Sequence, residues 1–344
     1  VAFTGSTSTA KRIRHSLAKN APATPFIAET GGLNAMIVDS TALPEQAVAA
    51  IVESAFQSAG QRCSALRCLY VQEDIAPSFI KMLTGAMDTL DVGQPWDVST
   101  DVGPVIDEPA RAKIAAHIEA HKANIIHQLP TPQAGTFIAP TLIRVSGIVD
   151  MKKEIFGPIL HLVTFKSQEL DQIINDINDT GYGLTFGLHT RIDDRVQHVS
   201  DRIMAGNVYI NRNQIGAIVG SQPFGGTGLS GTGPKAGGPD YLLRFRAVKP
   251  AGEAGEWATT QIELPAITNK PQIVCEHTLP GPTGESNRLT STTRAPILCM
   301  GPGANAAMAQ AEAINKLGGH AIQAIGNIEP SLLADGPSYG GILW

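Results

Sequence analysis

From residue 33 to about 210 the chain alternates helix-period and strand-like stretches, and this alternation limits its fold more than any other feature. Pro44 to Ser58 carries Ala47, Val48, Ile51, Val52 and Ala55 at helical spacing. Ala110 to Ala123 reads as a helix, with Ile114 and Ile118 on one face and charges on the other. Ile159 to Phe165 reads as a strand, 168–178 as a helix stopped by Gly181 and Gly183, and Asn207 to Asn211 as a short strand. The expected class is α/β. Residues 1–32 add strand, loop, helix, strand, with Gly5-Ser6-Thr7 opening a helix from Ser8 to Ala18. Such a turn presents free backbone N–H groups to a phosphate; an ordinary Ser/Thr helix cap explains it equally well.

The bulk properties narrow the function classes. The 344 residues suffice for two domains, or one large domain with an appendage. Hydrophobic residues make up 43% and charged ones 17%, enough to build a substantial core. Net charge is -5 and the pI about 6.0, with Lys and Arg scattered, so nothing points to nucleic acid. No apolar run reaches membrane-span length. The four cysteines, at 63, 68, 275 and 299, have neither zinc-site spacing nor a disulfide framework. A small-molecule protein of the cytoplasm is the expectation.

Two residues stand out chemically. Cys63 lies in Gly60-Gln61-Arg62-Cys63-Ser64-Ala65, after an amphipathic stretch that Gly60 is expected to stop. Glu29 lies in Glu29-Thr30-Gly31-Gly32, after the strand-like Pro25-Phe26-Ile27-Ala28. A lone cysteine is most often a small buried hydrophobe, and a lone glutamate a surface charge. Together, each framed by small residues at the end of an element, they form a nucleophile and a base suited to covalent attack on a carbonyl.

Read in order, Phe3-Thr4-Gly5-Ser6-Thr7, Glu29-Thr30-Gly31-Gly32, Gly60-Gln61-Arg62-Cys63, Glu154-Ile155-Phe156-Gly157-Pro158 and Pro223-Phe224-Gly225-Gly226 resemble the aldehyde dehydrogenases over about residues 1–249. Asn211-Arg212-Asn213-Gln214-Ile215-Gly216-Ala217 and Gly231-Thr232-Gly233-Pro234-Lys235-Ala236-Gly237-Gly238-Pro239 more closely resemble the C-terminal half of the bacterial proline utilization A family, which fuses proline dehydrogenase to glutamate-semialdehyde (pyrroline-5-carboxylate) dehydrogenase.

That resemblance implies NAD-dependent oxidation of L-glutamate γ-semialdehyde to L-glutamate, the second step of proline catabolism. Cys63 would be the nucleophile and Glu29 the base for thioester hydrolysis. Gly5 and Ser6 would meet the cofactor pyrophosphate, and Glu154 and Phe156 the nicotinamide ribose and ring. Ser64, Gly216 and Ala217 would bind the substrate carboxylate, Phe224 would pack on its aliphatic chain, and Arg62 would lie close. For the thiol to react its pKa must fall; Arg62 next door is a candidate source of positive potential, although consecutive side chains often diverge. Glu29 needs surroundings apolar enough to lift its pKa towards neutrality. The bland alternatives are a solvated Glu154 after Lys152 and Lys153, and plain tight-turn chemistry for Gly216-Ala217.

The resemblance also places about half of a dinucleotide-binding domain upstream of Val1. A flavin-dependent proline dehydrogenase module, the only expected holder of FAD, and an asparagine that serves as second oxyanion donor would also lie there. Family members often dimerise, so a homo-oligomer is among the expected partners.

The expected organisation is the end of a dinucleotide-binding domain at 1–32, a thiol-bearing catalytic domain at 33–210, an ordered glycine-rich loop and return segment at 211–249, a linker at 250–285, and a partial α/β domain at 286–344. In that last part, Ala295 to Ile325 has a β-α-β signature, and Gly301-Pro302-Gly303 mimics a dinucleotide turn. It lacks the third glycine and the acidic ribose partner, so a structural role is favoured. Three rival readings remain. The chain is an inert fragment of such an enzyme, it oxidises another small semialdehyde, or it performs thiol acyl transfer without hydride chemistry. The last needs a histidine base. None of the nine histidines sits in a glycine-framed motif, and His15, His117 and His121 are expected to face solvent.

Overall fold

The computed structural model describes residues 1–22, 24–245, 256, 259–267, 272–335 and 339–343. By its internal contacts the chain divides into Val1–Val219 with Pro223–Arg246, and Gly220–Gln222 with Ala247–Trp344.

The first unit begins with β1 (Ala2–Thr4), α1 (Thr7–Asn20) and β2 (Ile27–Glu29), in which the two strands pair in parallel. Next come β3 (Ala35–Val38), α2 (Pro44–Phe56), β4 (Cys68–Gln72), α3 (Ala76–Met87), α4 (Glu108–Ala120), β5 (Ile125–Gln128), β6 (Thr141–Arg144) and β7 (Ile159–Phe165). The unit is completed by α5 (Leu170–Asp179), β8 (Tyr182–Gly183), β9 (Thr185–His189), α6 (Asp193–Ser200), β10 (Asn207–Ile210) and β11 (Thr227–Gly228). Seven strands form one sheet in the order β10-β9-β3-β4-β7-β6-β5. Every neighbouring pair is parallel except β5 with β6.

Parallel strands joined through helices are covered on both faces, and their sequences show it. In β3 every residue is buried, yet side chains alternate between faces. Met36 and Val38 join a cluster with Ile51, Phe56, Phe79 and Leu83, whereas Ala35 and Ile37 join Tyr70, Phe165, Ile174 and Ile177. Two hydrophobic layers therefore grip the sheet, and its strand ends become rigid supports.

Helix ends follow local chemistry. Asp107 caps α4 by accepting from the Ala110 N–H, and Ser6 caps α1 by accepting from the Thr9 N–H. α2 starts with proline but stops at Phe56, short of Gly60. Beyond it Ser58 and Ala59 take left-handed φ values of 55° and 52°. Two successive non-glycine residues in that region cost about 1 kcal/mol or more each, so other contacts must hold this turn.

In the second unit, β12 (Ile273–Leu279) and β13 (Asn287–Thr292) pair as an antiparallel hairpin. β14 (Ile297–Cys299), α7 (Gly303–Lys316) and β15 (Ala321–Gln323) form a parallel β-α-β, and β16 (Gly341–Leu343) joins the other edge of β14. Leu298, Met300, Ala324 and Ile328 make its small core. β12 falls within the stretch read as a linker, 250–285; Arg246 to Gly255 and Lys270 lie outside the described residues. Among the described residues no helix is long and apolar enough to cross a membrane, and no cluster of His, Cys, Asp and Glu could hold a metal ion.

Candidate active site

Both singled-out side chains belong to the first unit. Glu29 ends β2, flanked by two backbone segments. On one side Thr4 of β1 is its register partner, and the Gly5 N–H donates to the Glu29 carbonyl at 3.1 Å. On the other side the glycine-rich segment pairs with it: Glu29 bridges Gly231, Thr30 N–H donates to Ser230, and Thr232 N–H donates to Ala28. Neither carboxylate oxygen reaches hydrogen-bonding geometry with a protein donor, and both are buried. Burial pushes the Glu29 pKa up to about 7, against smaller opposing pulls from the Gly226 backbone N–H and the Lys235 charge. The apolar setting expected for a base is present.

Cys63 lies between the left-handed turn and β4 and is half-buried. The Asn34 amide donates to the Cys63 carbonyl at 2.7 Å and to the Ala65 carbonyl at 2.9 Å, fixing this loop against β3. Burial is the largest force raising the thiol pKa, and the charges of Glu154 and Glu29 add to it. The backbone N–H groups of Ser64 and Cys63 pull the other way, and both suit a developing negative charge. The Glu29 charge is the smallest of the influences on the thiol, and it disfavours the thiolate.

Arg62, the candidate source of positive potential, turns its Nε to Ser58 Oγ at 3.2 Å. Arg67 is the buried cation instead. Its side chain is 0% exposed, and Nη2 lies 3.0 Å from Glu154 Oε1. The Cys63 charge is among the influences that favour its charged form. A charged residue inside the apolar run Ala65-Leu66-Arg67-Cys68-Leu69 was the missed signal.

Glu154 is therefore no solvated charge. Its carboxylate lies against Gly31, where an added Cβ would come within 1.8 Å of Oε2, so only glycine admits it. Burial raises its pKa more than Arg67 and the Gly32 N–H lower it. The Phe156 ring is 43% exposed, with the Arg67 guanidinium 5.3 Å from its centre.

The remaining expected residues gather around the same loops. Ser64 is buried, and its carbonyl accepts from Thr185 Oγ1 at 3.1 Å and Gln214 Nε2 at 3.3 Å. Gln214 thereby ties the Gly216-Ala217 turn to the nucleophile loop; Gly216 has φ 71° and open space around it. Phe224 exchanges backbone hydrogen bonds with Ala236, directly before Gly225. Lys235 was also missed. It is half-buried, donates to the Gly206 carbonyl and to Asn207 Oδ1, and desolvation lowers its pKa to about 8 against the favourable pull of Glu29.

Two histidines depart from expectation. His15 is exposed, but His117 turns inward to His161, with their Nε2 atoms 2.9 Å apart, and His121 Nδ1 donates to the His117 carbonyl. His161 Nδ1 faces the Arg67 carbonyl at 3.0 Å, so that nitrogen carries the proton and Nε2 accepts from His117. Burial pushes both His117 and His161 down to about 4. His161 thereby supports the Arg67 backbone, and His117 supports His161.

Residues 1–250 match the family model described as "Aldehyde dehydrogenase family". The chain belongs to the aldehyde dehydrogenase family. It is 42% identical to the bifunctional protein PutA of Klebsiella aerogenes over 92% of its own length, and spans 28% of the length of that curated relative. A mutant of Bradyrhizobium japonicum proline utilization A (PutA) matches with TM-score 0.70 and 54% identity, covering 71% of this chain and 25% of that one. A 1-pyrroline-5-carboxylate dehydrogenase from Thermus with bound NAD matches with TM-score 0.66 and 34% identity, covering 71% of this chain and 48% of that one. The likeness to proline utilization A and pyrroline-5-carboxylate dehydrogenases read from the motifs is borne out, as is the α/β aldehyde dehydrogenase-like fold.

Proposed function

We propose that the chain carries the thiol half of an NAD-dependent L-glutamate γ-semialdehyde dehydrogenase. The observation that carries this reading is the Glu29 carboxylate, both oxygens buried and neither hydrogen-bonded to the protein, in the same unit as the half-buried Cys63 thiol. The relatives' names support the substrate class, and the bound NAD of the Thermus relative supports the cofactor.

Cys63, as thiolate, attacks the aldehyde carbon, and the oxygen formed there becomes an alkoxide facing the backbone N–H of Cys63. A bound NAD, held by Gly5, Ser6, Glu154 and Phe156, would supply the hydride acceptor needed to take this adduct to the thioester oxidation level. Glu29, ionised, takes a proton from water as that water attacks the thioester, releasing glutamate and the free thiol. A base with a pKa near 7 is half ionised at neutral pH, which suits alternation between the two states. The residues here fit the cofactor. The N–H groups that open α1 after Gly5 and Ser6 suit a pyrophosphate, the Glu154 carboxylate suits ribose hydroxyls, and the exposed Phe156 ring suits a nicotinamide. Ser64 and the Gly216-Ala217 backbone would receive the substrate carboxylate, Phe224 its methylenes, with Arg62 at the rim.

The test is appearance of nicotinamide absorbance with glutamate, succinate and simple aliphatic semialdehydes. It uses this chain and a longer chain extended upstream to include a second oxyanion donor. A clear preference for the glutamate compound, lost in C63S, supports the assignment. Equal rates with all three would overturn the substrate, since a methylene difference alone yields only about 1–3 kcal/mol of discrimination. No turnover in either chain would favour the inert reading.

A further inference from the structure

Arg67 joins three separate parts of the site through one side chain. Its Nη1 donates to the Gly60 carbonyl at 2.8 Å and to the Gly157 carbonyl at 3.2 Å. Its Nη2 donates to the Arg62 carbonyl at 3.0 Å and to Glu154 Oε1 at 3.0 Å. Gly60 and Arg62 belong to the loop that presents Cys63; Gly157 and Glu154 belong to the turn proposed to face the nicotinamide ribose. The backbone of Arg67 is fixed as well, its N–H donating to Asn34 and its carbonyl accepting from the His161 N–H.

This arrangement is costly for a purely structural core. A buried cation with partners forfeits its hydration, and well-packed apolar side chains commonly stabilise as much or more. Gly60, with φ 64°, lies so close to the Gly157 carbonyl that an added Cβ would come within 2.2 Å. The guanidinium bridges that junction with two carbonyls on one nitrogen. It also accounts for how the left-handed Ser58-Ala59 turn is held.

We propose that Arg67 is a positioning residue for the reaction above: it holds the Gly60–Arg62 loop in register with Glu154, and Glu154 governs how much of its positive charge reaches the Cys63 thiol. The proposal rests on Cys63 being the nucleophile. The charged groups around the nucleophile loop are Glu154 from the Glu154–Pro158 turn and Glu29 from β2, both of which disfavour the thiolate, and Arg67 ahead of β4, whose guanidinium binds the Arg62 carbonyl next to Cys63. Lys235 acts one step removed, on Glu29; His161 from β7 faces the Arg67 backbone and is neutral near pH 7; Arg62 is turned to Ser58. Replacing Glu154 with a neutral group therefore removes a negative charge from the thiol's surroundings and also frees the Arg67 charge. Both changes favour the thiolate, and only the second needs Arg67.

The test is the pH dependence of Cys63 alkylation by iodoacetamide, in which the thiolate displaces iodide. Peptide mass spectrometry reads the product, and half-exposed Cys275 serves as internal reference. Wild type, E154Q, R67M, the double variant and R67K are compared. We expect E154Q to lower the midpoint by roughly one pH unit and R67M to raise it by a similar amount. In the R67M background the E154Q shift should fall to half or less, the signature of coupled residues. Equal E154Q shifts in both backgrounds, or an unmoved R67M midpoint, would overturn the proposal. If R67M does not fold by circular dichroism, R67K decides. It retains the charge without the fork, so its midpoint should stay near wild type while the plateau alkylation rate falls several-fold. An unchanged plateau, or a midpoint displaced as far as a neutral residue would displace it, overturns the proposal. The assay needs neither aldehyde nor nicotinamide, so failure here is separate from failure of the dehydrogenase assignment, which absorbance reads.

Discussion

The chain contains two strand–glycine turn–helix junctions, and they end in opposite ways. After β1, Gly5 leads into the 14-residue α1, Ser6 caps it through its hydroxyl, and the Gly5 N–H rests on the carbonyl of Glu29. After β14, Gly301-Pro302-Gly303 leads into α7, also of 14 residues. There the proline offers no side-chain cap, and Gln310 folds back from within the helix to bond both the N–H and the carbonyl of Gly301, at 3.1 and 2.7 Å. The first junction borders Glu29, whose carboxylate oxygens are buried. The second has its exposed backbone satisfied by its own helix. A glycine turn becomes a ligand site through what the surrounding fold brings to it; the turn alone supplies only unsatisfied N–H groups.

The sharpest break between the two junctions should come from the chemistry beside the first. C63S is expected to reduce aldehyde oxidation at least a thousandfold, roughly the penalty for losing a covalent nucleophile. E29Q should preserve a first-turnover burst of reduced nicotinamide and slow the steady state by about 10²–10⁴. An unaffected steady state would remove Glu29 from the mechanism.

Next in size is pH dependence. Because Glu29 must be ionised to activate water and its pKa is raised to about 7, steady-state turnover should fall as pH drops through 7. Lys235 favours the charged form of Glu29, so K235M should move that acid limb upward by about one unit, while K235R largely restores it. The linked stability effect has a fixed sign. Glu29 is raised above its usual 4.5, so ionising it costs folding stability that sets in as pH rises from about 4.5 and is complete above 7. E29Q should therefore gain stability relative to wild type above pH 7, by about 1–2 kcal/mol after allowance for solvent screening, read from denaturant midpoints.

The smallest effect should appear at the second junction. Q310A removes two hydrogen bonds and should cost about 1 kcal/mol of stability in thermal melts, leaving nicotinamide titrations unchanged. A weakened nicotinamide affinity would show that the two turns are more alike in function than their bonding suggests.

Element by element, legibility in the sequence followed the range of the interactions involved. The β7 strand was readable at its observed limits, Ile159 to Phe165, because seven mostly apolar residues bounded by a turn leave few alternatives. The end of α2 was not. Gly60 looked like the stop, whereas the helix ends at Phe56 because Ser58 and Ala59 adopt left-handed backbone held by distant groups. Arg62 looked like the thiol's cation because it is adjacent in sequence. Arg67 is the arginine that braces the thiol's loop, because a chain entering a strand can turn a residue back under that loop to reach the Gly60 and Arg62 carbonyls. His117, on a mostly polar helix, gave no sign of facing inward until His161 was seen opposite it.

The sequence by itself determined the α/β alternation, the residue types able to attack and hydrolyse, and the family to which the chain belongs. Those follow from local periodicity and from short motifs whose chemistry depends on residue identity. Tertiary structure alone decided that the Glu29 carboxylate oxygens are buried, that Glu154 pairs with Arg67, and which of two glycine turns rests on Glu29. Desolvation and ion pairing depend on what approaches from far along the chain. Glu154 lies 87 residues from Arg67, and Lys235 acts on Glu29 from a segment that returns only after the whole seven-stranded sheet has been laid down.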